Sequence, residues 1–306
     1  MYLGAHIGIA EGLANAPSRG RQIGCEAIQI FSKSPQMWAG PPIAPEAARQ
    51  YRDAVVREGL RATAVHHGYL LNLASPKPAM LKQSRRAFLD EIERAELLGA
   101  DGLIFHPGAH TGSGVEAGIA SITANLNDAF LATPGVHVRA LLENSAGQGT
   151  TLCSNFEELQ AILAGLQAPA RAGVTLDTCH LFAAGFDFRT AEGYGALIDR
   201  IRATIGVEQV RAFHLNDAKS ALGSHLDRHE NIGKGEIGLE GFRHLVNDPR
   251  WMSVPGYLET PLDEDGYARY ATDLRTLTAL RSRTSPGSTA ERPTRRAPSR
   301  RASPVR

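Results

Sequence analysis

Cysteine is scarce and scattered: Cys25, Cys153 and Cys179 are three residues in a chain of 306, odd in number, far apart and without a C-x-x-C pair. That spacing suits neither a disulfide framework nor a thiolate zinc site, so plain buried thiols are expected. Long apolar runs are also missing. No stretch approaches the roughly 20 residues that a helix needs to cross a bilayer. The opening MYLGAHIGIAEG has no charged segment followed by an apolar one, as a secretory leader would. A cytoplasmic protein without membrane contacts is expected. An excess of one charge is lacking too, since 33 Lys and Arg stand against 32 Asp and Glu, a net of +1. Such balance neither favours nor excludes a polyanionic partner, because a binding face can be local. Finally, no G-x-G-x-x-G follows the first β-favouring run, which removes the phosphate-binding turn of a doubly wound dinucleotide fold.

What is present is an ordinary globular composition, 42% hydrophobic and 21% charged, over most of the length. From about Ser282 it changes to RTSPGSTAERPTRRAPSRRASPVR, rich in Arg, Pro and Ser and without apolar periodicity. Residues 282–306 are therefore expected to be a disordered basic tail on a domain spanning residues 1–281. Its arginines, among them Arg292, Arg295, Arg296, Arg300, Arg301 and Arg306, either add non-specific attraction for phosphate or are simply a solvated terminus.

Along the body, short β-favouring runs alternate with longer stretches of helical pattern, the signature of repeated βα units around a parallel sheet. Strands are predicted at Tyr2 to Ile7, Ala27 to Phe31, Ala62 to His66, Gly102 to His106, His137 to Glu143, Gly173 to Asp177, Val210 to His214 and Gly256 to Glu259. Helices are predicted after each, near Leu13 to Ile23, Pro45 to Glu58, Lys77 to Leu98, Gly114 to Ala132, Asn155 to Leu163, Thr190 to Ile205, Leu239 to Asn247 and Asp265 to Arg281. An eightfold βα repeat in one domain of this length points to an α/β fold of the (β/α)8 TIM-barrel type.

Nearly every predicted strand after the second ends in, or is followed closely by, a histidine or a carboxylate: His66, His106, Glu143, Asp177, His214 and Glu259. In a barrel all strands point one way, so these six converge on the C-terminal mouth where barrel enzymes keep their sites. His180, three residues past Asp177, and Asp227 with His229 in SHLDRHENIGKGEIG belong to loops on the same face. A lone histidine at a strand end is usually a hydrogen-bonded structural residue. The joint pattern argues otherwise, because Glu143, Asp177 and Glu259 crowded together would repel unless cations neutralised them. Mixed imidazole and carboxylate donors suit zinc, manganese or iron better than magnesium, and nine candidates exceed the needs of one ion. His67 should point away from its neighbour His66, since successive strand residues face opposite sides. His6, His110, His137 and His225 are likewise left out of the ligand set, His6 being a candidate donor lining the pocket.

The segments FSKSPQMW, HHGYLLNLASP, FHPGAH, ENSAGQG, DTCHLFAAGFD, HLNDAKSALGSHLDRHENIGKGEIG and LET, in that order, resemble the endonuclease IV family of abasic-site nucleases, and the likeness spans the body from GAHIGIAEGLANA to YLET. The resemblance implies a TIM barrel with three zinc ions at its mouth, manganese or iron being alternatives at one of them. One zinc would take His66, His106 and a bridging Glu143; a second Glu143, Asp177, His214 and Glu259; a third His180, Asp227 and His229. It further implies hydrolysis, by a hydroxide that the zinc ions activate, of the phosphodiester 5′ to an abasic site in duplex DNA. Glu143 and Glu259 would be the catalytic carboxylates, and the products a 3′-hydroxyl and a 5′-deoxyribose phosphate.

A monomeric, cytoplasmic DNA-repair enzyme, associated with the nucleoid when bound, is the expectation. Tyr69 and Leu70 correspond to the pair that enters the duplex at the lesion, although both residue types also bury well and core packing is the competing account. The family often carries arginine two residues before the tryptophan of the first motif. Here that residue is Gln36, so weaker phosphate attraction or a changed wedge geometry is expected, with catalysis spared. The principal alternative is a metal-dependent sugar isomerase or epimerase on the same barrel, because fold alone does not settle function. The third set, His180, Asp227 and His229, speaks against it. A non-catalytic damage binder is the other alternative, disfavoured by the complete ligand set.

Overall fold

The structure, a computed structural model, describes residues 1–262 and 266–282. Apart from Ser282, the basic tail expected over residues 282–306 lies outside the described residues, as does Asp265, the expected start of the last helix.

Eight parallel strands close into a barrel: β1 (Tyr2–His6), β2 (Ala27–Phe31), β3 (Ala62–His66), β4 (Gly102–Phe105), β5 (Arg139–Glu143), β6 (Ala172–Asp177), β7 (Val210–His214) and, closing the ring against β1, β10 (Pro255–Leu258). The predicted strands agree to within two residues at every end. Between β7 and β10 lies an unexpected antiparallel pair, β8 (Asp217–Ala218) and β9 (His229–Glu230).

Helices pack outside the ring: α1 (Ala16–Gln22), α2 (Pro45–Arg57), α3 (Pro78–Leu98), α4 (Val115–Ala132), α5 (Phe156–Ala164), α7 (Ala191–Ala203), α8 (Gly238–Asn247) and α9 (Tyr267–Leu280). Pro17, Pro45 and Pro78 sit in the first turns of α1, α2 and α3, where a missing N–H costs nothing. Asn155 and Thr190 cap α5 and α7 by accepting from Glu158 N and Gly193 N. The predicted helix over 13–23 divides into a 3-10 turn at Leu13–Asn15 and α1. A short extra helix, α6 (Thr178–Ala183), follows β6 directly.

Two apolar zones result. The larger fills the layer between strands and helices, with Phe88, Phe105, Phe156, Phe242 and Trp251 buried in it. The smaller occupies the barrel interior and comprises Ala27, Ala62, Ala64, Ile104, Leu141, Ala212 and Tyr257. Gly4 belongs to this tight region, since a Cβ there would collide with the carbonyl of Ala27. Strand side chains alternate with a period of two, so the next inward residue along each strand is set by this inner zone. From Ala27 it is Gln29, from Ala64 His66, from Ile104 His106, from Leu141 Glu143, from Ala212 His214 and from Tyr257 Glu259. An apolar plug in the lower barrel therefore places a polar ring directly above it. Among the described residues no helix is long and apolar enough to cross a membrane.

Candidate metal centre

All nine residues singled out in the sequence come together at the C-terminal mouth, and they do so in overlapping groups. His66, His106 and Glu143 present donor atoms within 4.8 Å of one another, as do Glu143, Asp177, His214 and Glu259, and as do His180, Asp227 and His229. Glu143 joins two of these groups: its Oε2 lies 3.2 Å from His66 Nε2 and 3.7 Å from His106 Nε2, and its Oε1 lies 2.8 Å from His214 Nδ1. Asp227 divides its oxygens between His180 Nε2 at 3.2 Å and His229 Nε2 at 3.1 Å. Asp177 Oδ2, 3.7 Å from His229 Nε2 and 3.8 Å from His214 Nδ1, links the third group to the second. Cys179 also lies near Asp177 and His229, but its thiol is buried and turns to the carbonyl of Arg228. A cavity of about 340 Å³ opens above the cluster, walled by His6, Phe31, Tyr69 and Tyr270 besides the histidines.

Four of the five histidines are held at one nitrogen by a group that can only accept, which fixes the proton there and turns the other nitrogen toward the carboxylates. His66 Nδ1 donates to the His67 carbonyl at 2.7 Å, His180 Nδ1 to that of Asn144 at 2.8 Å, and His229 Nδ1 to that of Glu259 at 3.2 Å. His214 is held the opposite way round, its Nε2 donating to Gln29 Oε1 at 2.8 Å. The inward nitrogens of His180 and His229 are buried and make no hydrogen bond despite their nearness to Asp227. Orphaned imidazole nitrogens facing a carboxylate are what a metal ion would satisfy.

The carboxylates are positioned as deliberately. Asp177 caps α6 by accepting from His180 N at 2.9 Å, so the helix that carries one donor starts on another. Asn216 Nδ2 donates to Asp177 Oδ2 at 2.7 Å while its Oδ1 accepts from Glu259 N at 2.9 Å. Gln29 Nε2 donates to Glu259 Oε1 at 2.6 Å, and His6 Nδ1 lies 3.5 Å from the same oxygen. Asp217 accepts from the backbone N–H groups of Ala218, Gly233, Gly235 and Ile237, pinning the segment that holds Asp227 and His229. These four, Gln29, Asn144, Asn216 and Asp217, escaped the sequence reading. For Gln29 the signal was available: a lone amide at the inward position of an otherwise apolar strand.

Burial disfavours every charge in this cluster, and the outcome shows which attractions overcome it. His214 rises to about 9 because Glu143 and Glu259 outweigh its burial. His229 rises to about 9 in the same way through Asp177 and Asp227. His66 and His180 are raised by Glu143 and by Asp177 respectively, again against burial. Reciprocally, the buried Glu143, Glu259 and Asp227 are held below the carboxylate range by the histidines around them. For His106 and His6 burial prevails and both are lowered.

His67 turns outward, as expected, stacking on Phe88 of α3 at 6.3 Å. Tyr69 and Leu70 are 65% and 36% exposed, so core packing does not account for them. Tyr69 stands edge-on to Phe31 at the rim, and its N–H donates to the Pro35 carbonyl at 3.1 Å. That bond joins its loop to the one bearing the exposed Gln36 and Met37.

A closed parallel barrel whose mouth gathers imidazole and carboxylate groups that could hold metal is a xylose isomerase-like TIM barrel, and the family profile of that description matches residues 18–280. The chain belongs to the endonuclease 4 family within it. A "Probable endonuclease 4" of Geobacter sulfurreducens is 45% identical over 264 residues, 86% of this chain and 89% of the relative. The solved endonuclease IV of Thermus thermophilus superposes with a TM-score of 0.80 at 32% identity, covering 92% of this chain and 98% of that one. A D-tagatose 3-epimerase-like protein, at TM-score 0.68 and 18% identity over 92% of this chain and 98% of its own, shares the fold alone.

Proposed function

We propose that the chain is a DNA-repair endonuclease that hydrolyses the phosphodiester bond 5′ to an abasic site in duplex DNA, acting as a monomer with three zinc ions at its mouth. The observation that carries this reading is the convergence of three donor groups on one cavity, directly beside an exposed Tyr-Leu pair. His66, His106 and Glu143 would hold the first ion, Glu143, Asp177, His214 and Glu259 the second, and His180, Asp227 and His229 the third. The nitrogen-rich donor set favours zinc, with manganese or iron as alternatives at one position. When bound, such ions supply charge that activates water and offsets the developing charge on the phosphate.

The chain's own residues do the rest. Glu143, with one oxygen facing His66 and the other His214, ties the first two donor groups together and would serve an ion in each. Gln29 and Asn216 orient Glu259, and Gln29 fixes the tautomer of His214, so the site is organised before substrate arrives. Tyr69 and Leu70, exposed at the rim, suit insertion into a weakened base step, and the 340 Å³ cavity behind them suits a sugar without a base. The sugar-isomerase alternative gives no role to the third group or to the exposed pair.

The test is incision of a labelled duplex with one abasic site, before and after chelation and again after zinc is returned. Incision that leaves a 3′-hydroxyl and a 5′-deoxyribose phosphate, lost and regained with zinc, is the expected result. No incision by fully metallated protein would send the reading back to sugar substrates. Glu143→Gln and Glu259→Gln are each expected to abolish incision while the melting curve stays cooperative, and wild-type turnover in either would sink its assignment.

A further inference from the structure

The loop after β2 carries Gln36, and a single guanidinium on the far side of the barrel wall grips both of its ends. Arg94 of α3 donates from Nε to Ser32 Oγ at 2.7 Å, from Nη2 to the Ser32 carbonyl at 2.7 Å, and from Nη1 to the Pro41 carbonyl at 2.9 Å. Glu91, one turn earlier, accepts from Ser32 Oγ at 2.8 Å and from Lys33 Nζ at 3.1 Å. The side chains of Lys33, Glu91 and Arg94 are almost fully buried, at 3%, 1% and 7% exposure. Gly40 closes the loop tightly, for a Cβ there would stand 2.7 Å from that of Lys33.

The same stripe of α3 also holds the loop after β3. Ser84 Oγ accepts from Asn72 N at 3.0 Å, and Phe88 carries the ring of His67. Between these two anchor points the loops touch at Tyr69 N and the Pro35 carbonyl, where Gly68 leaves no room for a side chain. Burying an ionic group is a poor way to gain stability, because the desolvation cost rivals the attraction. A planar fork is a good way to fix geometry, because its N–H groups reach several acceptors at set angles, which an ammonium cannot do.

We propose that Arg94, with Glu91, is a positioning residue for lesion recognition: it sets the spacing of the Gln36 loop from the Tyr69-Leu70 loop and thereby the affinity for distorted duplex. The inference rests on the endonuclease reading above. Arg94 lies outside the metal-binding groups, so its influence falls on DNA binding while the hydrolytic centre is left intact.

The experiment compares wild type with Arg94→Lys, both as full-length metallated protein, on two substrates. One is an abasic duplex with 2-aminopurine opposite the lesion; the other is bis(4-nitrophenyl) phosphate, a small diester with no need of the loops. In Arg94→Lys the KM for duplex is expected to rise about tenfold with kcat nearly unchanged, because a misplaced loop weakens binding and leaves the reacting groups alone. The 2-aminopurine signal of unstacking should weaken in parallel, and small-diester hydrolysis should match wild type. A wild-type KM and 2-aminopurine response would overturn the proposal, and so would equal loss on both substrates with a fall in metal content, which marks a merely structural role. Failure of the wild type to incise abasic duplex would remove the endonuclease reading itself, an outcome seen before any variant is made. Should Arg94→Lys not fold, Ser32→Ala, which deletes the hydroxyl shared by Arg94 and Glu91, is scored by the same criteria.

Discussion

The three thiols show how one environment decides chemistry. Cys25, Cys153 and Cys179 are all buried and free, and burial pushes Cys25 up to about 12, with Cys153 and Cys179 raised as well. A thiol reacts as its thiolate, so none should modify in the native state at pH 8. All three are expected to react with a thiol-specific chromogenic disulfide only after denaturation; a stoichiometric native reaction would contradict the buried placement. At the same scale Gln29 and Asn216 illustrate a role invisible to residue type. Each touches two members of the cluster, yet an amide has no charge to announce it.

Among the elements, the β8–β9 pair matters most for the site. Asp217, at the start of β8, gathers four backbone N–H groups, three of them from Gly233, Gly235 and Ile237, and so holds the chain on which Asp227 and His229 stand. Gly235 must lie close, because a Cβ would meet the Ala218 carbonyl. Asp217→Ala leaves these donors unsatisfied, a loss of order 1–3 kcal/mol per buried group if nothing replaces it. The expected result is protein that retains its fold but loses one equivalent of bound zinc, measured by atomic emission after desalting. Unchanged zinc content would show that the segment holds itself. Helix α6 works alongside: six residues long and capped by Asp177, it is too short to persist alone and depends on the barrel.

For the whole molecule, the cluster of charges should couple folding to pH and, on the proposed function, to metal. In metal-stripped protein His214 and His229, raised from 6.5 to about 9, bind protons more tightly folded than unfolded. Their contribution is therefore fully present below pH 6.5 and is lost as pH rises through 9, so the melting temperature should fall over that interval. Differential scanning calorimetry in excess chelator checks this, and a flat profile from pH 6.5 to 9.5 would refute it. If zinc is the ion these groups hold in the folded state, added zinc should raise the melting temperature by mass action, with the gain growing as free zinc increases. An identical melting temperature with chelator and with zinc would leave no metal site of consequence.

Much of this was open to a reading of residues alone. Strands of four to six residues separated by helical stretches announce an eightfold barrel because period two and period 3.6 are properties of the backbone. Strand-end residues converge because a parallel barrel has only one C-terminal mouth. For the same reason His67 had to face away from His66. What the chain order does not contain is angle and distance. That Glu143 stands between two groups, that Asp227 spans His180 and His229, and that Arg94 reaches across to both ends of the Gln36 loop depend on atoms far apart in sequence meeting within a few ångströms. Such contacts are fixed by packing between layers, so only the tertiary structure decides them. Sequence dictated which residues could meet at the mouth, and packing dictated which of them touch.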